Sequence, residues 1–386
     1  MPSLPKNPTL PLPPPAALEL SVQLQTLIRG EIKAGGGWIS FARYMELALY
    51  APGLGYYSAG RYKLGAAGDF ITAPELSPLF GRTLARQLAE LLAQDIPDIV
   101  ELGAGSGALA AVLLAELAAL DHLPQRYLIL EVSADLRERQ RAHLAATVPQ
   151  FADRVSWLDR LPDQLQAIVI GNEVLDALPV HRIRTHQGSV EEIGVIANDD
   201  YCTWACRPAP AALQQAVAAQ DLPDDYETEI NLAAPALVCS LEQRLARGAL
   251  LFIDYGFPAH EFFHAQRNRG TLMCHYRHQS HADPFLWPGL QDITAHVDFS
   301  AVARAAAGLE LLGYTGQAQF LINCGITELL AAVPAADTAR YAPLAAQAQQ
   351  LLSPAEMGEL FKVIALGRGI IEPLSGFRRG DRSHTL

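Results

Sequence analysis

The run Glu101-Leu102-Gly103-Ala104-Gly105-Ser106-Gly107 closes a short apolar stretch, Ile99–Leu102, and opens an alanine- and leucine-rich one from Ala108 to about Ala119. A strand that runs through glycines into a helix brings unpaired backbone N–H groups to the carboxyl end of a parallel sheet, where they can meet a ligand. Glycine lets such a turn take positive φ and lets the ligand lie against bare backbone. Few sequence features constrain a fold as tightly, because the turn needs a parallel sheet around it.

Alternating apolar and helical segments supply that sheet. Strands are expected at Ile99–Leu102, Tyr127–Glu131, Val155–Trp157, Ala167–Gly171 and Ala249–Asp254, with helices at about Ala108–Ala119 and Ala134–Leu144. This order predicts an α/β, Rossmann-like fold with a mostly parallel, doubly wound sheet. Ahead of it lies a helical lead-in, with helices at Leu18–Lys33, Phe41–Leu49 and Arg82–Leu92, and a glycine- and aromatic-rich loop from Gly55 to Gly81. Between Pro179 and Gly248 stand about 68 residues, where a simple crossover needs a dozen or more. An inserted cap of β-rich and helical structure is therefore expected between the fourth and fifth strands: a β-meander over 183–207, then a helix around Pro235–Arg247. After Asp254 come a histidine- and aromatic-rich loop to Val297, a helix at Phe299–Ala307 and β-like segments to Leu321. The expected organisation is a disordered proline-rich tip (1–17), the lead-in (18–95), a core (96–182 and 248–370), the cap (183–247) and a flexible tail (371–386).

Composition narrows the function classes. A formal net charge of −12 lacks the positive field of a nucleic-acid binder. Five cysteines without paired C-x-x-C modules argue for a reducing compartment. No stretch of about 18 uncharged apolar residues occurs, and the first 15 residues carry seven prolines and no apolar signal core. The expectation is a cytoplasmic protein without membrane insertion. His260 and His264 share helical spacing, but no third ligand follows, so no metal is expected.

The glycine turn also satisfies the dinucleotide pattern through Gly103, Gly105 and Ala108. Three features favour S-adenosylmethionine. Glu101 makes the pattern E-x-G-x-G-x-G, typical of class I methyltransferases; the turn follows a helical lead-in of a hundred residues; and the fourth strand ends in Asn172-Glu173-x-x-Asp176. Glu131, at the end of the second strand, can accept hydrogen bonds from both ribose hydroxyls of either cofactor.

The motifs GDFITAPELSPLFG (Gly68–Gly81), VELGAGSG (Val100–Gly107), NEVLDALPVHR (Asn172–Arg182), FIDYG (Phe252–Gly256), DITAHVDFS (Asp292–Ser300) and FLINCGI (Phe320–Ile326) occur in one order. With them the chain resembles the MidA-like family of S-adenosylmethionine-dependent methyltransferases, whose mitochondrial members are complex I assembly factors. The resemblance runs from about Ile39 to Leu366. It implies a class I methyltransferase fold and symmetric dimethylation of arginine in a complex I core subunit, hence a protein substrate; a homodimer is left open. It makes Gly103, Ala104, Gly105 and Gly107 the cofactor loop, with Glu101, Glu131, Val132 and Asn172 beside it. Asp69, Thr72, Pro74 and Glu75 are its residues in the preceding loop, the last three expected at the cofactor. Pro179 and His181 fall in the motif after the fourth strand.

Methyl transfer to a guanidinium asks mainly for alignment, exclusion of water and a carboxylate that holds the planar fork. Glu173 is the expected clamp, with Asp176 one helical turn on. Glu75 is either a second acidic contact or a helix N-terminal charge. His296, beside Asp298, is expected on the substrate side. Two other readings remain: a non-catalytic S-adenosylmethionine-binding assembly chaperone and an NAD-dependent oxidoreductase.

Overall fold

A computed structural model of the chain describes residues 10–59, 72–198, 201–220 and 222–386. These form two compact units: one from the described residues up to 59 with 176–234 and 259–298, the other from 72–175, 235–258 and 299–386. Residues 1–9 of the proline-rich tip, Asp69 with the rest of Gly68–Ile71, and Asp199 and Asp200 lie outside the described residues. Of the tip expected over 1–17, the last part is helical, because Pro15 opens the helix Pro15–Ala34 as a first-turn proline.

The larger unit is built on seven strands: β1 (Asp98–Leu102), β2 (Arg126–Leu130), β3 (Val155–Leu158), β4 (Leu165–Asn172), β5 (Leu245–Phe257), β6 (Glu310–Gly316) and β7 (Phe361–Arg368). Their order across the sheet is β3-β2-β1-β4-β5-β7-β6. Neighbours from β3 to β5 run parallel, and β7 is antiparallel to both β5 and β6. The five strands expected from periodicity are thus β1 to β5. Every residue of β1 is buried, as a central parallel strand covered on both faces requires. Its one charge at the start, Asp98, pairs with its register partner Arg126 at 2.5 Å.

Helix Ala108–Ala119 covers β1 and has six buried residues. It lies close to helix Pro78–Leu92, because Gly81 allows Val112 in: a Cβ on Gly81 would stand 2.7 Å from Val112 Cγ1. Arg82 and Glu116 tie the same two helices at 2.7 Å.

Two expectations are corrected. Strand structure stops at Gly316, and Gln317–Asn323 is a helix, since Gln317, Phe320 and Leu321 are buried at helical rather than alternating spacing. The residues expected as a flexible tail are held in place. Phe377 is buried against Phe320 at 5.5 Å, Arg382 N donates to Tyr314 O at 2.6 Å, and Asp381 Oδ1 accepts from Tyr314 N at 3.0 Å. The physical reason is the open edge of β6, whose backbone groups need partners that this segment supplies.

The smaller unit contains the helices Pro15–Ala34 and Phe41–Tyr50 and the expected meander, observed as His181–His186, Ser189–Ala197 and Cys202–Pro208. Its first turn, Gln187-Gly188, has both φ positive (50° and 72°), as a two-residue hairpin demands. Strand Tyr226–Ile230 pairs with His181–His186 on the other side. The histidine-rich stretch, expected as a loop, folds into a small sheet of Met273–Tyr276, Gln279–His281 and Asp292–Thr294. Alternation is too short there for a sequence to announce strands of three or four residues. Among the described residues no helix is long and apolar enough to cross a membrane.

Gly248 holds β5 against β4. Its φ is +134°, and a Cβ would come within 2.0 Å of Ala167 O on the neighbouring strand. Gly248→Ala is expected to lower the unfolding free energy by at least about 2 kcal/mol, read from the denaturation midpoint in urea; an unchanged midpoint would contradict so close an approach.

Candidate active site

The strand order reverses between β1 and β4, the place where a doubly wound sheet opens a crevice beyond its carboxyl ends. The glycine turn leaves β1 there. Gly103, Gly105 and Gly107 have φ of 60°, 55° and 85°, and Gly107 is the N-cap of helix Ala108–Ala119. Ala104 is buried beneath the turn. Ser106 caps the helix by accepting from Ala108 N at 3.2 Å, and its hydroxyl donates to Glu75 Oε1. Glu75 stands in the first turn of helix Ala73–Leu76, whose N-cap is Thr72 and whose early proline is Pro74. Glu75 therefore stands as an acidic residue in a helix first turn, and it also braces the glycine turn through Ser106.

Glu131 follows β2 and is buried. Its Oε1 accepts from Ser133 N at 2.9 Å and its Oε2 from Gln140 Nε2 at 3.1 Å. Burial raises its pKa, while those donors and Arg137 pull it back. The next residue, Val132, is 76% exposed. An apolar side chain in water beside a buried carboxylate is an open face for a flat, partly apolar ring.

Gln140 is fully buried and joins these parts. Its Nε2 also donates to Gly105 O at 2.9 Å, and its Oε1 accepts from Trp157 Nε1 at 2.8 Å. The turn after β1 and the acid after β2 are held by one side chain. Sequence reasoning missed it, because a single glutamine in the polar helix Ala134–Thr147 carries no signal.

At the end of β4, Asn172 Nδ2 donates to Glu173 Oε1 at 3.0 Å, and Ala73 N approaches the same oxygen at 3.4 Å. Asn172 Oδ1 is buried and has no hydrogen-bond partner among the described residues. Glu173 itself has φ +52°, a left-handed conformation that costs a side-chain-bearing residue about 1–3 kcal/mol. Neighbouring bonds impose it. Glu173 N donates to Ile253 O at 2.9 Å, and the buried Asp254, on β5, accepts from Val174 N at 3.1 Å and Leu175 N at 2.9 Å. Asp254 was legible only as part of FIDYG, with no role attached.

Asp176 and His296 belong to the smaller unit. They come near each other through Asp176 O, which accepts from Ala295 N at 3.1 Å. His296 N donates to Thr271 Oγ1 at 3.0 Å, and Thr271 N donates to the buried Glu229 Oε2 at 2.6 Å. Glu229 is a further acid of this cluster, its pKa raised by burial.

Glu101 lies under the turn, fully enclosed, and accepts from Tyr127 Oη at 2.7 Å. Burial pushes its carboxyl up to about 7, with the Tyr127 hydrogen bond opposing and Glu131 adding to the rise. Its unfolded value of 4.5 lies below that, so the unfolded chain releases the proton first. Stability linked to Glu101 is therefore present below about pH 4.5 and is lost as pH rises toward 7. Glu101→Gln keeps the acceptor for Tyr127 and removes the charge. The variant should melt higher than wild type at pH 8, with the gap closing by pH 5 in scanning calorimetry; a gap independent of pH would mean that Glu101 is not held protonated.

Residues 79–315 match the sequence model of a family described as S-adenosyl-L-methionine-dependent methyltransferases. Among curated proteins, the chain is 32% identical over 364 residues to the mitochondrial protein arginine methyltransferase NDUFAF7 of Mus musculus, covering 86% of this chain and 81% of the relative. The Homo sapiens protein of that name is 30% identical over 366 residues, covering 86% and 80%. Among solved structures, a COG1565 superfamily member from Burkholderia thailandensis bound to S-adenosyl-homocysteine superposes with a TM-score of 0.95 at 52% identity, covering 98% of this chain and all of that one.

Proposed function

The chain belongs to the S-adenosyl-L-methionine-dependent methyltransferase family, and from that premise we propose that it methylates an arginine side chain of a protein. The observation that carries the arginine reading is likeness along most of the chain to proteins named for that activity, combined with a strained glutamate at the end of β4. The resemblance in motifs points to a subunit of a respiratory complex I as the substrate.

S-adenosyl-L-methionine, when bound, supplies an electrophilic methyl group on a sulfonium. This chain's residues suit it. Gly103, Gly105 and Gly107 offer bare backbone, Glu131 keeps acceptor capacity for ribose hydroxyls, Val132 offers an apolar face for adenine, and Asn172 Oδ1 lacks a donor that an ammonium group would provide. Thr72, Pro74 and Glu75 support the loop from the neighbouring short helix.

For the acceptor, Glu173 is assigned the guanidinium. Asn172 orients one carboxylate oxygen, and the left-handed backbone fixes the direction in which the side chain leaves β4. A carboxylate there would bind the fork of N–H groups, offset the positive charge of the acceptor and accept the proton that the nitrogen gives up as it gains the methyl group, the electron pair of the broken S–C bond staying on the sulfur. Asp176 and His296 are assigned to the substrate side. Asp254 is a positioning residue that shapes the turn at Glu173.

Two variants separate binding from chemistry. Gly105→Val should abolish calorimetric binding of S-adenosyl-L-methionine in a folded protein, since a branched side chain fills the space over the turn; unchanged affinity would remove the turn from the cofactor site. Glu173→Gln should slow single-turnover transfer of labelled methyl to an arginine-containing protein by roughly 10²–10³-fold, with cofactor affinity held within about threefold. Wild-type turnover in that variant would take Glu173 out of the mechanism.

A further inference from the structure

The smaller unit carries a basic recess that the methyl-transfer chemistry does not use. Arg182, Arg184 and His186 alternate along the strand His181–His186, so they share one face of the sheet. Glu227, in register with Arg184, and Asp225 meet them from the adjoining chain, and Asn268 and Arg269 run alongside, joined by Glu227 N donating to Asn268 O at 3.2 Å. These seven residues line a cavity of about 450 Å³.

The charges inside it are unlike those of the whole molecule. Three arginines and two carboxylates line it in a chain of net charge −12, with His186 meeting Asp225 at 2.6 Å; outside the lining, Glu191 and Glu229 are the register partners of Arg184 and Arg182. Glu227 offsets one charge of the pair Arg182 and Arg184 and aligns both. Arg184 Nε reaches Glu227 Oε1 at 2.8 Å, helped by its Nη2, and Arg182 Nη2 reaches Glu227 Oε2 at 3.0 Å. Arg182 is further fixed by stacking over Trp204, 4.8 Å from the ring centre. Its Nε is buried without an acceptor among the described residues. Arg269 is exposed and pairs with no carboxylate among the described residues. Each guanidinium has five donors, so the recess holds far more donors than its two carboxylates can satisfy. Fixing and partly burying guanidiniums is unfavourable unless an anion uses them.

Spacing selects the anion. Alternate residues of a strand lie about 6.6–6.8 Å apart, so Arg182, Arg184 and His186 form a row about 13 Å long. Acidic side chains at alternate positions of an extended peptide repeat at the same interval, and the planar fork of arginine matches a carboxylate. A single small anion would use only one step of the row.

We propose that this recess docks an extended, acidic segment of the protein that the enzyme methylates, with carboxylates at alternate positions facing the row and Arg269. The identification of the bound segment as part of the substrate rests on the protein-substrate reading above; the affinity for an acidic strand does not.

The probe is a fluorescein-labelled Glu-Thr-Glu-Thr-Glu peptide, with Gln-Thr-Gln-Thr-Gln as its uncharged counterpart, followed by fluorescence anisotropy on the full chain at low salt. The acidic peptide should bind at least tenfold more tightly than the neutral one and weaken with added salt. Arg269→Glu, at an exposed residue without an ion-pair partner among the described residues, should reduce that binding at least tenfold, and Arg184→Glu likewise. Arg160→Glu, an exposed arginine of the other unit, should change nothing, and S-adenosyl-L-methionine affinity should stay constant throughout. Equal binding of the two peptides, or wild-type affinity in Arg269→Glu, overturns the proposal. So does displacement of the peptide by inorganic phosphate at equal concentration, which would mark a simple anion site. If acidic-peptide binding follows this pattern while no arginine is methylated, the recess stands and the substrate assignment falls.

Discussion

Among the parallel strands of the main sheet, strand order reverses between β1 and β4, and the rest of the site depends on that reversal. On either side of the break the chain winds away in opposite directions, so the carboxyl ends of these two strands are left uncovered by their own crossovers. The residues assigned to the site in the larger unit stand at or near the carboxyl ends of the parallel strands: the glycine turn follows β1, Glu131 and Val132 follow β2, Asn172 and Glu173 end β4, and Asp254 lies three residues before the end of β5. Strand pairing supplies the rigidity. Eight register pairs join β4 to β5 and five join β4 to β1, so the ends cannot shift independently.

On that frame the polar groups are arranged by burial. Glu101, Glu131, Gln140 and Asp254 are all enclosed, and each accepts from specific protein donors. An unpaired polar group there would cost about 1–3 kcal/mol, which explains why both oxygens of Glu131 and of Asp254 and both ends of the Gln140 amide have defined partners. Asn172 Oδ1 is the exception near the β4 terminus, and Glu173 adds a strained backbone beside it. Strain and an acceptor without a donor among the described residues, side by side, are the two observations that support the proposed site there.

The two units treat charge differently. In the larger one, carboxylates are sunk beneath the turns, with burial lifting the pKa of Glu101 and Glu131. In the smaller one, a row of arginines stands on one sheet face with Glu227 acting as a spacer between two of them. An enzyme acting on a protein must recognise surface beyond the reacting side chain, and a row repeating at strand spacing is suited to a partner in extended form.

Much of this was legible in the sequence by itself. Apolar runs located the five parallel strands, the central ones because strands buried on both faces must be continuously apolar. The glycine turn, Glu131 and the acidic end of β4 were legible for a related reason: positive φ and a carboxylate at a strand end are local demands, met by residue type and position. What the tertiary structure alone decided are pairings between residues distant in sequence. Gln140 meets Gly105 and Glu131, Asp254 meets the turn after Asn172, and the last residues cover the edge of β6 instead of trailing away. The placing of Arg269 beside the row of Arg182, Arg184 and His186 belongs to the same class, since nothing in the spacing of 182 and 269 brings them together. Periodicity reports which face of an element is buried, but not which neighbour buries it, and a hydrogen bond across that contact exists only once the chain has closed upon itself.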